Sequence, residues 1–336
     1  MRNFLFLALA LLSGSVASAQ PQAVHRPVKL MGSGFELTAI HEDEGVANAA
    51  IDAGIAEIRR IERLISSWDE NSQTSAINRN AGIQPVAVDE ELFQLIQRSL
   101  KVSGITDGAF DISFAAIEKL YLFNGSETTL PPPEEVARSV AKINYRNIIL
   151  DPKKHTVFLR EEGMRIGFGA IGKGYAANRA KAVMQAMGIA NGLVNASGDL
   201  TCWGKQEDGR EWGIAIADPD DKMKAIAWLP VGEGAVVTSG DYEKYLMVDG
   251  RRYAHIIDPR TGYPTTGIKS VTIVCPDAEL ADALATSVFV LGKDNGLALI
   301  NQLRGIECLI VTEENELVGS KNLELQYEEI MERRKE

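Results

Sequence analysis

Seven short apolar runs crowd the second half of the chain, near residues 192–196, 212–217, 225–230, 235–238, 245–248, 252–256 and 269–275. Joining two neighbouring strands in parallel takes a crossover of about a dozen residues or more, usually through a helix, whereas antiparallel strands need only a turn. Most of the gaps between these runs are shorter than that, so the strands pair antiparallel. Helical spacing falls elsewhere. Ala47 to Ile65 carries Ile51, Ile55, Ile58, Ile61, Leu64 and Ile65 on one face, and Glu90–Val102, Glu134–Val140, Gly174–Met187 and Ala278–Val290 also read as helices. Strands segregated from helices give an α+β fold, with mixed or antiparallel sheets and packed helices, rather than a doubly wound parallel sheet.

The first half adds a strand over 27–41, broken at Gly32 and Gly34, and a polar loop, Ser66 to Ser72, that holds Trp68. Gly104 to Asp111 is a turn into an apolar segment, and 146–160 reads as a hairpin turning at Asp151-Pro152. A last strand is expected near 317–326. The length of 336 residues suits two domain-sized units or one large core. Forty-six acidic against 35 basic side chains give a net charge of −11, which leaves no basic face for a phosphate backbone, so no nucleic-acid partner is expected. An anionic ligand must be held by backbone N–H groups, one or two cations or a metal ion.

Residues 1–19 read as a secretory signal peptide, with Arg2, an apolar run from Phe4 to Leu12 and cleavage after Ala19 in Ala17-Ser18-Ala19. The run is too short for a stable membrane span, no Cys follows it for lipid attachment, and the expected location is periplasmic. No other stretch is expected to span a membrane. Cys202, Cys275 and Cys308 are too few for a disulfide scaffold and read as buried apolar residues.

Four segments are able to carry chemistry. Gly167-Phe168-Gly169-Ala170-Ile171-Gly172-Lys173-Gly174 matches neither nucleotide motif it brings to mind. A P-loop needs Ser or Thr where Gly174 stands, and a dinucleotide site needs a parallel sheet. What remains is a glycine-rich turn ahead of a helix, with Lys173 beside the positive dipole end: an anion site, or a tightly packed helix start. Asp282 and Thr286 lie one helical turn apart at the edge of a buried stripe, where two oxygens suit a hard cation such as Mg²⁺; the ordinary alternative is a solvated Asp. His255 stands among apolar neighbours before Asp258-Pro259-Arg260-Thr261-Gly262, either as a proton carrier or as a core histidine. Trp68, Met31-Gly32-Ser33 and Gly108-Ala109-Phe110-Asp111 make an aromatic and polar group, although a lone Trp more often belongs to the core. Val194 to Asp199 and Val236 to Asp241 share a faint echo, a strand ending in Ser-Gly-Asp.

Taken in order, these segments resemble the ApbE family, the FAD:protein FMN transferases. The resemblance runs from about Met31 to near Leu303 and includes Ser67-Trp68, Asn71-Ser72, Asn78, Gly169 to Tyr175, Asn195 to Asp199, Thr238 to Tyr242, His255 to Pro259 and Asp282 to Thr286. It implies an ApbE-like transferase domain over residues 24–330, with room for two subdomains sharing one site. It also implies an activity: the FMN moiety of FAD is transferred to a Thr or Ser hydroxyl of an acceptor protein, AMP leaves, and Mg²⁺ is required. Asp282 and Thr286 resemble the metal ligands, with the Ala170 carbonyl and Ala285 close by. Met31, Trp68, Ala109, Phe110, Asp111, Lys173 and Ile256 resemble the FAD-lining positions, and His255 the motif histidine, with an acid/base or phosphate-orienting role; Asp282 is the second catalytic candidate.

The chain departs from the family pattern at Gly167, where many members carry Asp, and at Trp68, where Tyr is common. It lacks a Ser/Thr-Gly-Ala-Thr acceptor motif of its own, so self-flavinylation is not expected. The alternatives are a Mg²⁺-dependent FAD diphosphatase, a non-catalytic FAD-binding protein and, more remotely, a nucleotide-dependent oxidoreductase.

Overall fold

The structure is a computed structural model that describes residues 20–117, 120–121, 123, 129–221, 223–241, 245–248 and 251–325. The expected signal peptide and Tyr242 lie outside the described residues.

An eight-stranded antiparallel sheet organises the chain. Its strands are β1 (Gln22–Leu30), β2 (Ser33–His41), β6 (Asn191–Ala196), β7 (Asp199–Trp203), β10 (Gly234–Gly240), β13 (Ile268–Cys275), β14 (Glu307–Thr312) and β15 (Leu317–Gly319), in that spatial order. Smaller sheets join β4 (Ile148–Asp151) and the two-residue β3 (Val86–Ala87) to β5 (Thr156–Leu159), β8 (Trp212–Ala217) to β9 (Ala225–Val231), and β11 (Tyr245–Val248) to β12 (Arg251–Ala254). The antiparallel α+β expectation holds throughout.

Alternation along the strands explains why the large sheet is covered on both faces. Leu37, Ala39, Val194 and Ala196 point towards α1 (Glu44–Ile65) and α5 (Gly172–Ala186) in one apolar cluster. Val237, Val271, Ile273 and Ile310 point towards α6 (Ala278–Ile300) in a second. The intervening residues Ile40, Cys202, Val236 and Leu309 face the β8–β9 hairpin. The remaining helices are α2 (Gln73–Arg79), α3 (Glu90–Ile105) and α4 (Pro133–Val140). All three cysteines are buried and unpaired, and burial raises the Cys202 thiol to about 12 and that of Cys275 to about 11.

Local details differ from the sequence expectation. The strand over 27–41 is a hairpin, because Met31 (φ 49°) and Gly32 (φ 72°) form a two-residue turn with positive φ at both positions. β7 was not expected: the Ser197-Gly198 turn (φ 59° and 98°) folds it straight back onto β6. The apolar segment expected after Asp111 is a 3₁₀ turn, Ile112–Ala116. The last strand keeps only three residues. The 23-residue α6 is long and apolar enough to cross a membrane, contrary to the expectation that no further stretch would be. It kinks at Gly292 (φ 79°) and buries Ala281, Leu284, Ala285 and Val288 completely in the core.

Candidate active site

A cavity of about 490 Å³ opens where the β1–β2 turn, the loop after α1, the start of α5, the end of β10, the segment after β12 and the first turns of α6 converge. Met31 enters from the hairpin turn, Trp68 from the polar loop, and Ala109, Phe110 and Asp111 from the turn after α3. Ala170 and Lys173 come from the glycine-rich segment, His255 and Ile256 from the segment after β12, and Asp282 and Thr286 from α6. Every residue proposed from the sequence as a metal ligand, a FAD-lining position or a catalytic candidate lines this cavity except Ala285, which is fully buried in the apolar cluster beneath it. Gly167 lines it as well.

The residues play different local parts. Trp68 is 75% exposed, so it is a rim residue and not a core one. Ser66 holds its loop by accepting from the N–H groups of Trp68 and Asp69, at 3.2 and 3.0 Å. Asp111 is buried, and its carboxylate accepts from the Ser113 N–H, the Ser113 hydroxyl and the Tyr145 N–H at 2.6–2.8 Å. Burial raises its pKa against those bonds. Asp111 caps the 3₁₀ turn that follows and ties it to Tyr145, while Thr106 holds Ala109 and Phe110 by accepting their N–H groups at 3.1 and 3.2 Å. His255 follows β12 in a bend and packs edge-on to Phe123, with ring centroids 6.3 Å apart. Behind it, Tyr121 donates to the Gly262 carbonyl at 2.8 Å, and the Thr265 N–H donates to the Ile256 carbonyl at 2.9 Å.

The glycine-rich segment is held from below. Buried Asn78 donates to the Ile166 carbonyl at 3.0 Å and accepts from the Ile166 N–H at 2.7 Å. That pairing copies one rung of a strand ladder and fixes the backbone just ahead of Gly167. At the start of α5 the expected anion site is partly filled by the protein itself: the Gly174 N–H donates to Asp282 Oδ2 at 3.0 Å. A carboxylate is the favoured partner for a helix N-terminus. The approach is possible only with glycine, because a Cβ on residue 174 would lie 2.1 Å from the Ala278 carbonyl oxygen.

Sequence reasoning gave no role to Asp199, although it belongs to the Ser-Gly-Asp echo. The two echoing segments are neighbours: Asp199 pairs with Val237 across the sheet, and the Thr238 N–H donates to the Gly198 carbonyl at 3.2 Å. Asp199 is buried, with Oδ2 2.8 Å from Lys173 Nζ, and it interacts with Asp282. Burial first, and then Asp199, pushes Asp282 well above the ordinary aspartate range. Burial likewise raises Asp199, against the pull of Lys173.

These residues fit a hard divalent cation. Asp282 and Thr286 offer oxygen donors on one wall, and Asp199, ion-paired with Lys173, adds a second buried carboxylate close to Asp282. Hard oxygen donors such as these match Mg²⁺, an ion that keeps several waters and uses few protein groups.

The model of the ApbE family matches residues 31–310. The chain belongs to the ApbE family. Among ApbE-family relatives, a FAD:protein FMN transferase of Klebsiella pneumoniae (strain 342) is 32% identical over 300 residues, spanning 89% of this chain and 92% of the relative. A FAD:protein FMN transferase of Treponema pallidum (strain Nichols) is 33% identical, spanning 79% and 77%. The crystal structure of the ApbE protein from Thermotoga maritima superposes with a TM-score of 0.83 at 32% identity, covering 89% of this chain and 97% of that one. The apo flavinyl transferase ApbE of Pseudomonas stutzeri gives 0.80 at 26% identity, covering 90% and 96%. The fold expected from the sequence is the ApbE fold.

Proposed function

We propose that this ApbE-family chain is an exported, Mg²⁺-dependent FAD:protein FMN transferase, with a Thr or Ser hydroxyl of a separate acceptor protein as the group modified. The observation that carries the reading is the convergence of Lys173, His255, Asp282 and Thr286 on one cavity whose rim bears Trp68. The names of its relatives support transfer of FMN, and the apolar run ahead of Ala19 supports export.

In this reading the acceptor oxygen attacks the phosphorus on the FMN side of the diphosphate. A new P–O bond forms, the bond to the AMP phosphate breaks, and AMP leaves with the electron pair. Mg²⁺ bound by Asp282, Thr286 and the Ala170 carbonyl would supply charge neutralisation at the phosphate oxygens. The chain's own groups do the rest. Lys173 stands at the cavity wall as a cation for the phosphates. The exposed face of Trp68 stacks on a flat ring of the flavin nucleotide. His255 is placed to take the hydroxyl proton or to orient a phosphate oxygen. Positioning and charge, rather than a covalent enzyme intermediate, supply the rate, as in other phosphoryl transfers.

The test combines the purified protein, FAD, Mg²⁺ and an acceptor domain. Flavin fluorescence that stays with the acceptor on a denaturing gel, together with AMP release, is the expected result. Free FMN and AMP without labelling would identify a diphosphatase instead. Bound FAD with no AMP would identify a binding protein, an outcome to which Gly167 lends interest.

A further inference from the structure

We propose that Arg98 is a positioning residue of this site: through Glu279 it fixes the rotation of α6 about its own axis, and so sets the Asp282–Thr286 pair for a divalent cation. The inference rests on the reading of the cavity as a Mg²⁺-dependent FAD site. Arg98 stands in α3 and Glu279 in the first turn of α6, and neither lines the cavity. Arg98 Nε and Nη2 donate to the two carboxylate oxygens of Glu279 at 2.7 and 2.9 Å. Glu279 is 8% exposed. The guanidinium also lies 5.6 Å from the centroid of the Tyr175 ring, which places it where α3, α5 and α6 meet.

Helix geometry connects this ion pair to the cavity. Glu279, Asp282 and Thr286 stand at i, i+3 and i+7, within about 60° of one another around a helix of 3.6 residues per turn. A roll of α6 that moves Glu279 therefore moves both oxygen donors. The start of α6 is held by α5 along a single line. Asn178 accepts from the Ala278 N–H at 3.2 Å and donates to Asp277 Oδ2 at 3.0 Å, and one turn earlier the Gly174 N–H reaches Asp282. Residues 174 and 178 share one face of α5, so their bonds act as a hinge. They keep the two helices close but leave α6 free to roll about the line of contact. Arg98 comes from a different helix and removes that freedom. Its planar fork binds a carboxylate in one orientation, which a point charge does not do. Rolling α6 would also strip a buried carboxylate of its partner, which is strongly unfavourable.

The experiment titrates Mg²⁺ at saturating FAD and reads the concentration that gives half of the Mg²⁺-induced rise in melting temperature, beside Mg²⁺-dependent AMP release. The informative variant is the double one, Arg98→Met with Glu279→Leu. It replaces the ion pair by apolar side chains, an exchange that is often neutral or stabilising for folding. Its melting temperature without Mg²⁺ is expected to match or exceed that of the wild type. Both readouts are nevertheless expected to need about ten-fold more Mg²⁺, the lower end of the cost of losing a residue that orients a metal ligand from behind. A merely structural role would be rescued by the apolar pair, so an unchanged Mg²⁺ requirement in the double variant overturns the proposal. Arg98→Lys, which keeps the charge without the fork, is measured alongside and should also need more Mg²⁺. Loss of folded protein in both variants assigns the pair to stability and overturns the proposal too. A wild type that binds FAD but gives no response to Mg²⁺ rejects the cation reading itself and this inference with it.

Discussion

The backbone N–H of Gly174 donates to Asp282 Oδ2 at 3.0 Å, tying the first turn of α5 to the first turns of α6. Two helices far apart in sequence therefore share one carboxylate, and the glycine-rich turn and the Asp–Thr pair become walls of the same cavity.

Gly174→Ala should separate those walls. The added Cβ would lie 2.1 Å from a backbone carbonyl oxygen, so the helices must move apart. Overpacking of this kind costs about 1–3 kcal/mol. A lower melting temperature together with weaker FAD binding is expected from thermal unfolding and flavin titration. A variant with wild-type values for both would show that the close approach is not required.

Asp282→Asn keeps an oxygen that can accept from Gly174 but removes the charge. Folding should change by less than about 1 kcal/mol, since the lost carboxylate is a buried one held above its ordinary pKa. Mg²⁺-dependent AMP release should disappear. AMP assays beside a melting curve separate the two effects, and retained turnover would reject Asp282 as a cation ligand.

His255→Ala should slow FMN transfer with little change in melting temperature, because the ring lines the cavity and has Phe123 on one edge. General acid–base catalysis is worth about 10²–10⁴-fold, so a loss within that range is expected in single-turnover transfer. Full activity would leave His255 with a packing role only.

Asn78→Ala should destabilise the chain although Asn78 does not line the cavity. It removes two hydrogen bonds to Ile166 and leaves that buried backbone without partners, a loss of about 2–4 kcal/mol on the usual cost per group. Urea unfolding measures the loss, and FAD titration of the folded fraction reads the accompanying shift of Gly167 to Ala170.

Acid should weaken the joint between α1, α3 and α5. Arg60 donates to Glu57 and Glu91, and these bonds hold both carboxyls below the ordinary value of 4.5. Arg179 reaches Glu57 as well, and the Tyr175 hydroxyl donates to Glu91. Because the folded-state values are depressed, the contribution is present in full above the unfolded pKa near 4.5 and is lost as pH falls through the lower folded values. Melting temperatures measured from pH 6 to about pH 3 should fall less steeply for Arg60→Met than for the wild type. Parallel curves would remove this network from the acid response.

The sequence by itself determined the class of fold and most of the residues around the cavity. Period-2 and period-3.6 patterns are local, so β8, β9, α1 and α5 could be read without knowing what they touch. The residues from Met31 to Thr286 could be picked out from residue type and local spacing, and the structure gathers all of them but Ala285 around one cavity. Tertiary structure alone decided which of these groups meet. That Trp68 is exposed, that Ala285 turns into the core, that Asn78 holds Ile166 and that Asp199 lies behind Lys173 all depend on contacts between elements. Such contacts follow from how the helices pack on the sheet, and no spacing along the chain encodes a distance across it.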